Sequence, residues 1–291
     1  EPSMFMYTQN SAPSVAPLTA AEKSTLVSAS EFGVTFAVVV SKDIADALRA
    51  AGKVSATNPA VASMTKSEVA TIFKGDAVAW QQVYADSAFS GASGLRVCRR
   101  ETGSGTQATM QAYFTNFPCA SASSGAVNFV TTAASDASIP YTVVENDTGG
   151  KMVNCVANAA GGSIGFVGID QSGIPANVEK VAIDGVEPTF ANAQSGKYDL
   201  FVENSLNYRS TITSETNGAA KKALMDRIKA EGSSAATLFT VFGASANKNA
   251  GALTGNGNAY PAANANEATV TFRGTRNGNS CSPVTLAPEA F

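Results

Sequence analysis

Leu95-Arg96-Val97-Cys98-Arg99, then Arg100-Glu101-Thr102-Gly103-Ser104-Gly105-Thr106, then an apolar stripe at Met110, Tyr113, Phe114 and Phe117 stopped by Pro118: these residues decide the fold class. The first run has the composition of a strand, the glycines mark a turn, and the stripe has the spacing of an amphipathic helix. A residue before proline is pushed out of the helical region, which ends the helix near Phe117. Strand, glycine turn and helix in that order form the building unit of an α/β protein.

The same punctuation recurs on both sides. Thr65-Lys66-Ser67-Glu68 is a capping box, Val69, Ile72 and Phe73 share one face after it, and Gly75 lies just beyond, which predicts a helix from about 66 to 74. A third helix is expected from about 150 to 160, with Met152, Cys155, Val156 and Ala159 facing inward and Gly161-Gly162 ending it. A strand at 164–169 follows directly. Further strands are expected at 34–40, 141–144, 181–183, 200–203 and 268–272, and further helices near 42–51 and 219–231. The stretch 243–267 is crowded with Asn, Ala and Gly, has little periodicity, and reads as an exposed loop. No internal repeat is found.

The chain has 291 residues, which at roughly 100 to 200 residues per domain suggests two domains. Charged residues are only 15% of the chain, so Ser, Thr, Asn and Gly must supply the polar surface, a composition that suits a secreted bacterial protein. A formal net charge of −3, with no basic run longer than two residues, gives no field for nucleic acid, which is set aside as a partner. The longest unbroken apolar stretch is 36–40, far short of the roughly 20 residues of a membrane span. The chain opens at Glu1-Pro2-Ser3 without an initiator Met or a signal peptide, and so reads as mature or as cut from something longer.

Histidine is absent, which removes Ser-His-Asp and Cys-His machinery and the commonest transition-metal ligand. Gly161-Gly162-Ser163-Ile164-Gly165 fits the G-x-S-x-G pattern of a nucleophile elbow, but the chain has no His base to serve it. Cys98, Cys119, Cys155 and Cys281 lack C-x-x-C spacing, so structural disulfides are expected in one of three possible pairings; buried free thiols are the alternative. No catalytic group, cofactor or metal is implied, and the expectation is a protein that is not an enzyme.

The turn 100–106 is the most informative segment for function. A glycine turn between a strand and a helix aims backbone N–H groups at one point with the positive end of the helix behind them, and such a point attracts an anion. Arg100 adds a guanidinium, and Ser104 and Thr106 add hydroxyls suited to the oxygens of a tetrahedral oxyanion. A plainer reading stays open: Ser104 with Gln107 is itself a capping box, and Arg100 then serves only as a partner for Glu101 or another carboxylate. Gly103-x-Gly105-x-x-Ala108 also fits the loose dinucleotide fingerprint, but the region 121–126, where an acidic ribose ligand is wanted, reads Ser-Ala-Ser-Ser-Gly-Ala.

Three blocks in order carry a resemblance to a known family: Met64 to Trp80, with Ile72-Phe73-Lys74-Gly75 and the sole tryptophan; Arg99-Arg100-Glu101-Thr102-Gly103-Ser104-Gly105-Thr106; and Gly162-Ser163-Ile164-Gly165-Phe166-Val167. Together they resemble the phosphate-binding proteins of ABC transporters, the periplasmic type II solute-binding proteins. The blocks span about 64–168, and weaker similarity runs from Phe32 to about Tyr208.

The resemblance implies two α/β lobes joined by crossover strands near 34–40 and 200–208, closing on the ligand like a hinge. Lobe one would comprise 1–38 and 201–291, and lobe two 39–200. Carried over residue by residue, Arg100, Ser104, Gly105 and Thr106 would be the phosphate ligands of lobe two. The implied function is binding of inorganic phosphate or a similar oxyanion in the periplasm or outside the cell, for delivery to an ABC permease. Two departures stand out. The family's acidic residue two positions after the arginine is Thr102 here, and the early lobe-one elements, with the carboxylate that accepts the proton of hydrogen phosphate, would precede Glu1. Lobe one is therefore expected to be incomplete at its N-terminus, and an upstream segment or a second chain to complete it. The rival is an extracellular structural or assembly subunit that reuses the fold.

Overall fold

The computed structural model describes residues 19–101, 103–117, 119, 129–130, 141–158, 161–243, 245, 248–260, 262 and 264–288. The described residues divide into two compact units: Phe36–Thr189, and a second made of residues 19–35 together with those from Phe190 onward. A short helix α1 (Ala20–Ser24) leads into the long strand β1 (Leu26–Ser41). From Phe36 to Ser41 every residue of β1 is buried, as expected of a strand covered on both faces.

Within Phe36–Thr189 the elements follow as α2 (Lys42–Ala50), β2 (Ser63–Met64), α3 (Lys66–Lys74), α4 (Trp80–Val83), β3 (Leu95–Arg100), α5 (Gly105–Thr115), β4 (Tyr141–Asn146), α6 (Gly149–Ala157), β5 (Ser163–Gly168) and β6 (Val178–Ile183). The strand order is β2-β6-β1-β5-β3-β4. Strands β5, β3 and β4 are mutually parallel, β2 is parallel to β6, and β1 runs antiparallel to both β5 and β6. This is the mixed α/β architecture expected from the sequence.

The capping box at Thr65 is present in full: Glu68 N donates to Thr65 Oγ1 at 3.2 Å and Thr65 N donates to Glu68 Oε2 at 2.8 Å. Gly75 ends α3 in the left-handed region at φ 80°, and Val69, Ile72 and Phe73 are buried. Helix α6 carries Met152, Cys155 and Val156 on its buried face, while Ala159 lies outside the described residues. Cys98 of β3 and Cys155 of α6 form a disulfide with their Cα atoms 6.1 Å apart, fixing the helix to the sheet. Cys119 and Cys281 are also disulfide-bonded, so none of the four cysteines is a free thiol.

The block Gly162–Val167 is explained by close packing. A Cβ on Gly162 would stand 2.5 Å from Trp80 Nε1 and 2.6 Å from Ile44 Cδ1, and its φ of +106° already excludes an ordinary side chain. A Cβ on Gly165 would stand 2.7 Å from Met152 Sδ. Both glycines let β5 lie against its neighbours at a separation no larger residue permits.

The other unit continues with α7 (Phe190–Gln194), β7 (Phe201–Arg209), α8 (Gly218–Gly232), α9 (Ala235–Phe242), β8 (Ala250–Leu253), α10 (Ala265–Ala268), β9 (Thr271–Phe272), β10 (Gly274–Thr275) and β11 (Thr285–Leu286). Here β7 and β8 both pair with the first part of β1, and β9 runs parallel beside β8. Buried Glu203 accepts hydrogen bonds from Thr275 Oγ1 at 2.8 Å and from the amides of Arg276 and Gly278, which ties the β10–β11 hairpin down.

Three expectations need correction, the first being the strand expected at 268–272, which is confined to Thr271–Phe272 because Ala265–Ala268 form a helix. The stretch 243–267 is not simply an exposed loop, because Ala250-Gly251-Ala252-Leu253 form a fully buried strand. Its small residues hide it from propensity, yet they are required: a Cβ on Gly251 would collide with the Phe272 ring. Ala252 joins the cluster of Ala235, Leu238 and Val270, while Leu253 joins Ala193, Phe201 and Phe272, so the strand serves two cores. Helix α5 stops at Thr115, ahead of Phe117, because Asn116 adopts the left-handed conformation at φ 54°.

Replacing Gly162 with Ala adds strain to overpacking against Trp80 and Ile44, and is expected to cost at least about 2 kcal/mol. Urea denaturation followed by fluorescence of the sole tryptophan checks this; an unchanged midpoint contradicts it.

Candidate functional site

The pleat of β3 sends its two arginines in opposite directions. Arg99 points inward and is 1% exposed. Its Nη1 donates to the Val130 carbonyl at 3.0 Å, and Nη2 lies 3.7 Å from Glu145 Oε2. Burial pushes the Arg99 guanidinium below its ordinary pKa, with Glu145 opposing. Arg99 is therefore an internal anchor, a part the sequence did not assign to it.

Arg100 is half-buried at the end of the strand. Its Nε donates to the Asn146 carbonyl at 3.1 Å and its Nη2 to the Asp147 carbonyl at 2.6 Å. The expected alternative, an ion pair between Arg100 and Glu101, is not formed, and among the described residues no carboxylate pairs with Arg100. Neutral main-chain oxygens thus hold the guanidinium in place and leave its charge uncompensated. This also bears on position 102, which lies outside the described residues: the loop orients its arginine without an acidic residue there.

Asn146 is fixed in turn. Its Nδ2 donates to the carbonyls of Arg99 and Val144, each at 3.1 Å, and its carbonyl also accepts the Glu101 amide at 3.1 Å. The register of parallel strands β3 and β4 pairs Arg100 with Asn146 at the end of the ladder, so the guanidinium and its acceptor finish side by side.

The turn then closes through Ser104 N donating to the Glu101 carbonyl at 3.2 Å, with Gly103 at φ +87°. Ser104 is the N-cap of the 11-residue helix α5, its Oγ accepting the Gln107 amide at 3.4 Å. The amides of Gly105 and Thr106 occupy the first two helical positions, where no intrahelical acceptor exists. A Cβ placed on Gly105 would meet nothing within 4 Å, so this end of the helix is open. The capping box expected at Ser104 is only half made: the Gln107 side chain reaches past Ser104 N and instead accepts the Arg100 amide at 3.0 Å.

The neighbouring helix α6 is capped by Thr148, whose side chain accepts the Lys151 amide, and Asp147 just before the cap pairs with Lys151 Nζ at 2.7 Å. Lys151 holds that carboxyl below its ordinary pKa. The first turn of α5 contains no acidic residue, so the positive end of its dipole is unmet by the chain's own carboxylates. The four residues singled out from the sequence, Arg100, Ser104, Gly105 and Thr106, therefore lie on one short connection, with Asn146, Asp147 and Gln107 as supports. The supporting carbonyls left no mark in the sequence; Gln107 was visible only as a capping residue.

Ser163, the serine of the G-x-S-x-G pattern, is fully buried and donates its hydroxyl to the Val156 carbonyl at 2.6 Å, which makes it a packing residue. The 121–126 segment of the dinucleotide reading lies outside the described residues. Among the described residues no group of three or more Cys, Asp or Glu is placed to hold a metal ion, and no helix is long and apolar enough to cross a membrane.

The family model of the PBP superfamily domain matches residues 12–266, and the chain belongs to that superfamily. Among solved structures, it is similar to an ABC-type phosphate transport receptor from Vibrio cholerae, at 18% identity over 77% of this chain and 75% of that one, TM-score 0.46. It is also similar to a putative phosphate ABC transporter substrate-binding protein from Clostridium perfringens, at 19% identity over 73% and 69% of the two chains, TM-score 0.43. A possible phosphate binding protein from Planctomyces limnophilus matches at 16% identity over 78% and 72%, TM-score 0.45. No curated protein matches the chain.

Ser104→Ala removes the cap of α5 and is expected to lower stability by about 0.5 to 2 kcal/mol, whereas Ser104→Gly costs only a few tenths. Thermal melts of the two variants check the order; equal losses contradict the cap.

Proposed function

We propose that the chain binds inorganic phosphate or a similar tetrahedral oxyanion at the Arg100–Thr106 connection, without chemistry of its own. The observation that carries this reading is the pairing of an arginine held only by neutral carbonyls with the uncapped amides of Gly105 and Thr106. An anion there meets the charge of Arg100, the N–H donors of Gly105 and Thr106 and the hydroxyls of Ser104 and Thr106, and adds the negative charge that the helix end lacks. Membership of the PBP superfamily supports binding as the mode of action. The resemblance of the three sequence blocks to phosphate-binding proteins supports the choice of anion.

In this reading the loop belongs to lobe two, drawn from the sequence at 39–200, and lobe one comprises 1–38 and 201–291. The protein works in the periplasm or outside the cell and hands the anion to an ABC permease.

Arg100→Ala removes the charged partner of the anion and should weaken binding by about 2 to 5 kcal/mol, which is roughly 30-fold or more. Calorimetric titration of phosphate, with sulfate as comparator and bound anion first stripped, measures it. An affinity unchanged in Arg100→Ala contradicts the site.

A further inference from the structure

The loop contains one buried side chain whose hydrogen bonding a purely structural role does not explain. Gln107 is 0% exposed. Its Oε1 accepts the Arg100 amide at 3.0 Å, its own main-chain amide donates to Ser104 Oγ at 3.4 Å, and its Nε2 is buried with no hydrogen-bond partner among the described residues. One residue therefore touches both arms of the turn: the strand end that carries the guanidinium and the cap of the helix that carries the free amides.

The need for this tie follows from the sheet. Strand β5 pairs with β3 only at Arg96 and Val97, while the Glu101 amide turns toward β4 to reach the Asn146 carbonyl. By the alternation of the strand, the Arg100 amide faces the side where β5 offers it no acceptor. The side-chain oxygen of Gln107 serves in place of that missing strand. The position of Arg100 along the turn is thus set by a side chain from the first turn of α5, and the two donor groups of the site are referenced to each other through it.

We infer that Gln107 is a positioning residue for oxyanion binding, fixing the Arg100 main chain against the N-terminus of α5; this rests on the function proposed above. Among the described residues its buried Nε2 has no acceptor, a cost accepted at a side chain whose oxygen is needed to hold the Arg100 amide. A side chain kept for packing alone carries no such burden, and a leucine of similar length would fill the space.

Titrations of inorganic phosphate and of sulfate into the full chain test this, with each affinity read as a ratio to wild type at the same pH so that ionisation of the anion cancels. Gln107→Leu keeps the volume and loses the tie, and is expected to bind about tenfold or more weakly at temperatures well below its melting point. Gln107→Glu keeps an acceptor oxygen. At about pH 5 its carboxyl, buried and so raised in pKa, remains neutral and binding stays near wild type; toward about pH 8 it ionises beside the anion and the ratio falls. Full-strength binding by folded Gln107→Leu, or a flat ratio for Gln107→Glu across that range, overturns the inference. If Gln107→Leu does not fold, the pH profile of Gln107→Glu decides. A wild-type chain that binds neither anion overturns the proposed function, and the role of Gln107 with it.

Discussion

Arg100 and Asn146 end two parallel strands side by side, and the candidate site depends on that register. Because β3 and β4 stop together, the Asn146 carbonyl stands where it accepts both the guanidinium Nε of Arg100 and the amide of Glu101. The chain leaves each strand into a helix, so two helix N-termini open beside the same pair of strand ends. This is the carboxyl edge of a parallel sheet, where open α/β folds generally place their ligands. Neither helix has an acidic residue in its first turn; beside α6 the carboxylate of Asp147 is taken by Lys151, and α5 begins at Ser104-Gly105-Thr106 with Arg100 alongside.

The electrostatics of the loop follow from how its arginine is held. An acidic partner would orient the guanidinium and also cancel much of its charge. Main-chain carbonyls orient it without that cancellation, so the field at the open end of α5 combines a whole positive charge with the helix dipole. The buried arginine next to it makes the point by contrast. Arg99 is desolvated, its Nη1 bonded to a carbonyl, with only an exposed Glu145 for charge balance, and its pKa is pushed down accordingly. Adjacent residues of one strand thus hold the same side chain in two different conditions, one turned into the core and one half-buried at the strand end.

Much of this was legible in the sequence because punctuation residues carry their geometry with them. Thr65 and Glu68 announce a capping box, Gly75 a left-handed cap, and Gly103-Ser104-Gly105 a turn into a helix, and each is found as read. The buried strand Ala250–Leu253 was not legible, since alanine and glycine have no strand signature and the need for Gly251 comes from the Phe272 ring and the Val270 carbonyl packed against it. The true partner of the Gln107 side chain was equally hidden. A capping box predicts a bond to the N-cap amide, whereas the choice of the Arg100 amide depends on where β5 ceases to pair with β3, a tertiary fact. The carbonyls that hold Arg100 belong to the backbone, and no residue type advertises them.

Under the proposed function, a tetrahedral oxyanion sits on the amides of Gly105 and Thr106 within reach of Arg100. The most direct measurement is an anomalous difference map from crystals of the full chain soaked in tungstate, a heavy tetrahedral oxyanion. A peak within hydrogen-bonding distance of both amides and the Arg100 guanidinium is the predicted result. Tungstate bound only elsewhere on the molecule, with this loop empty, would contradict the account.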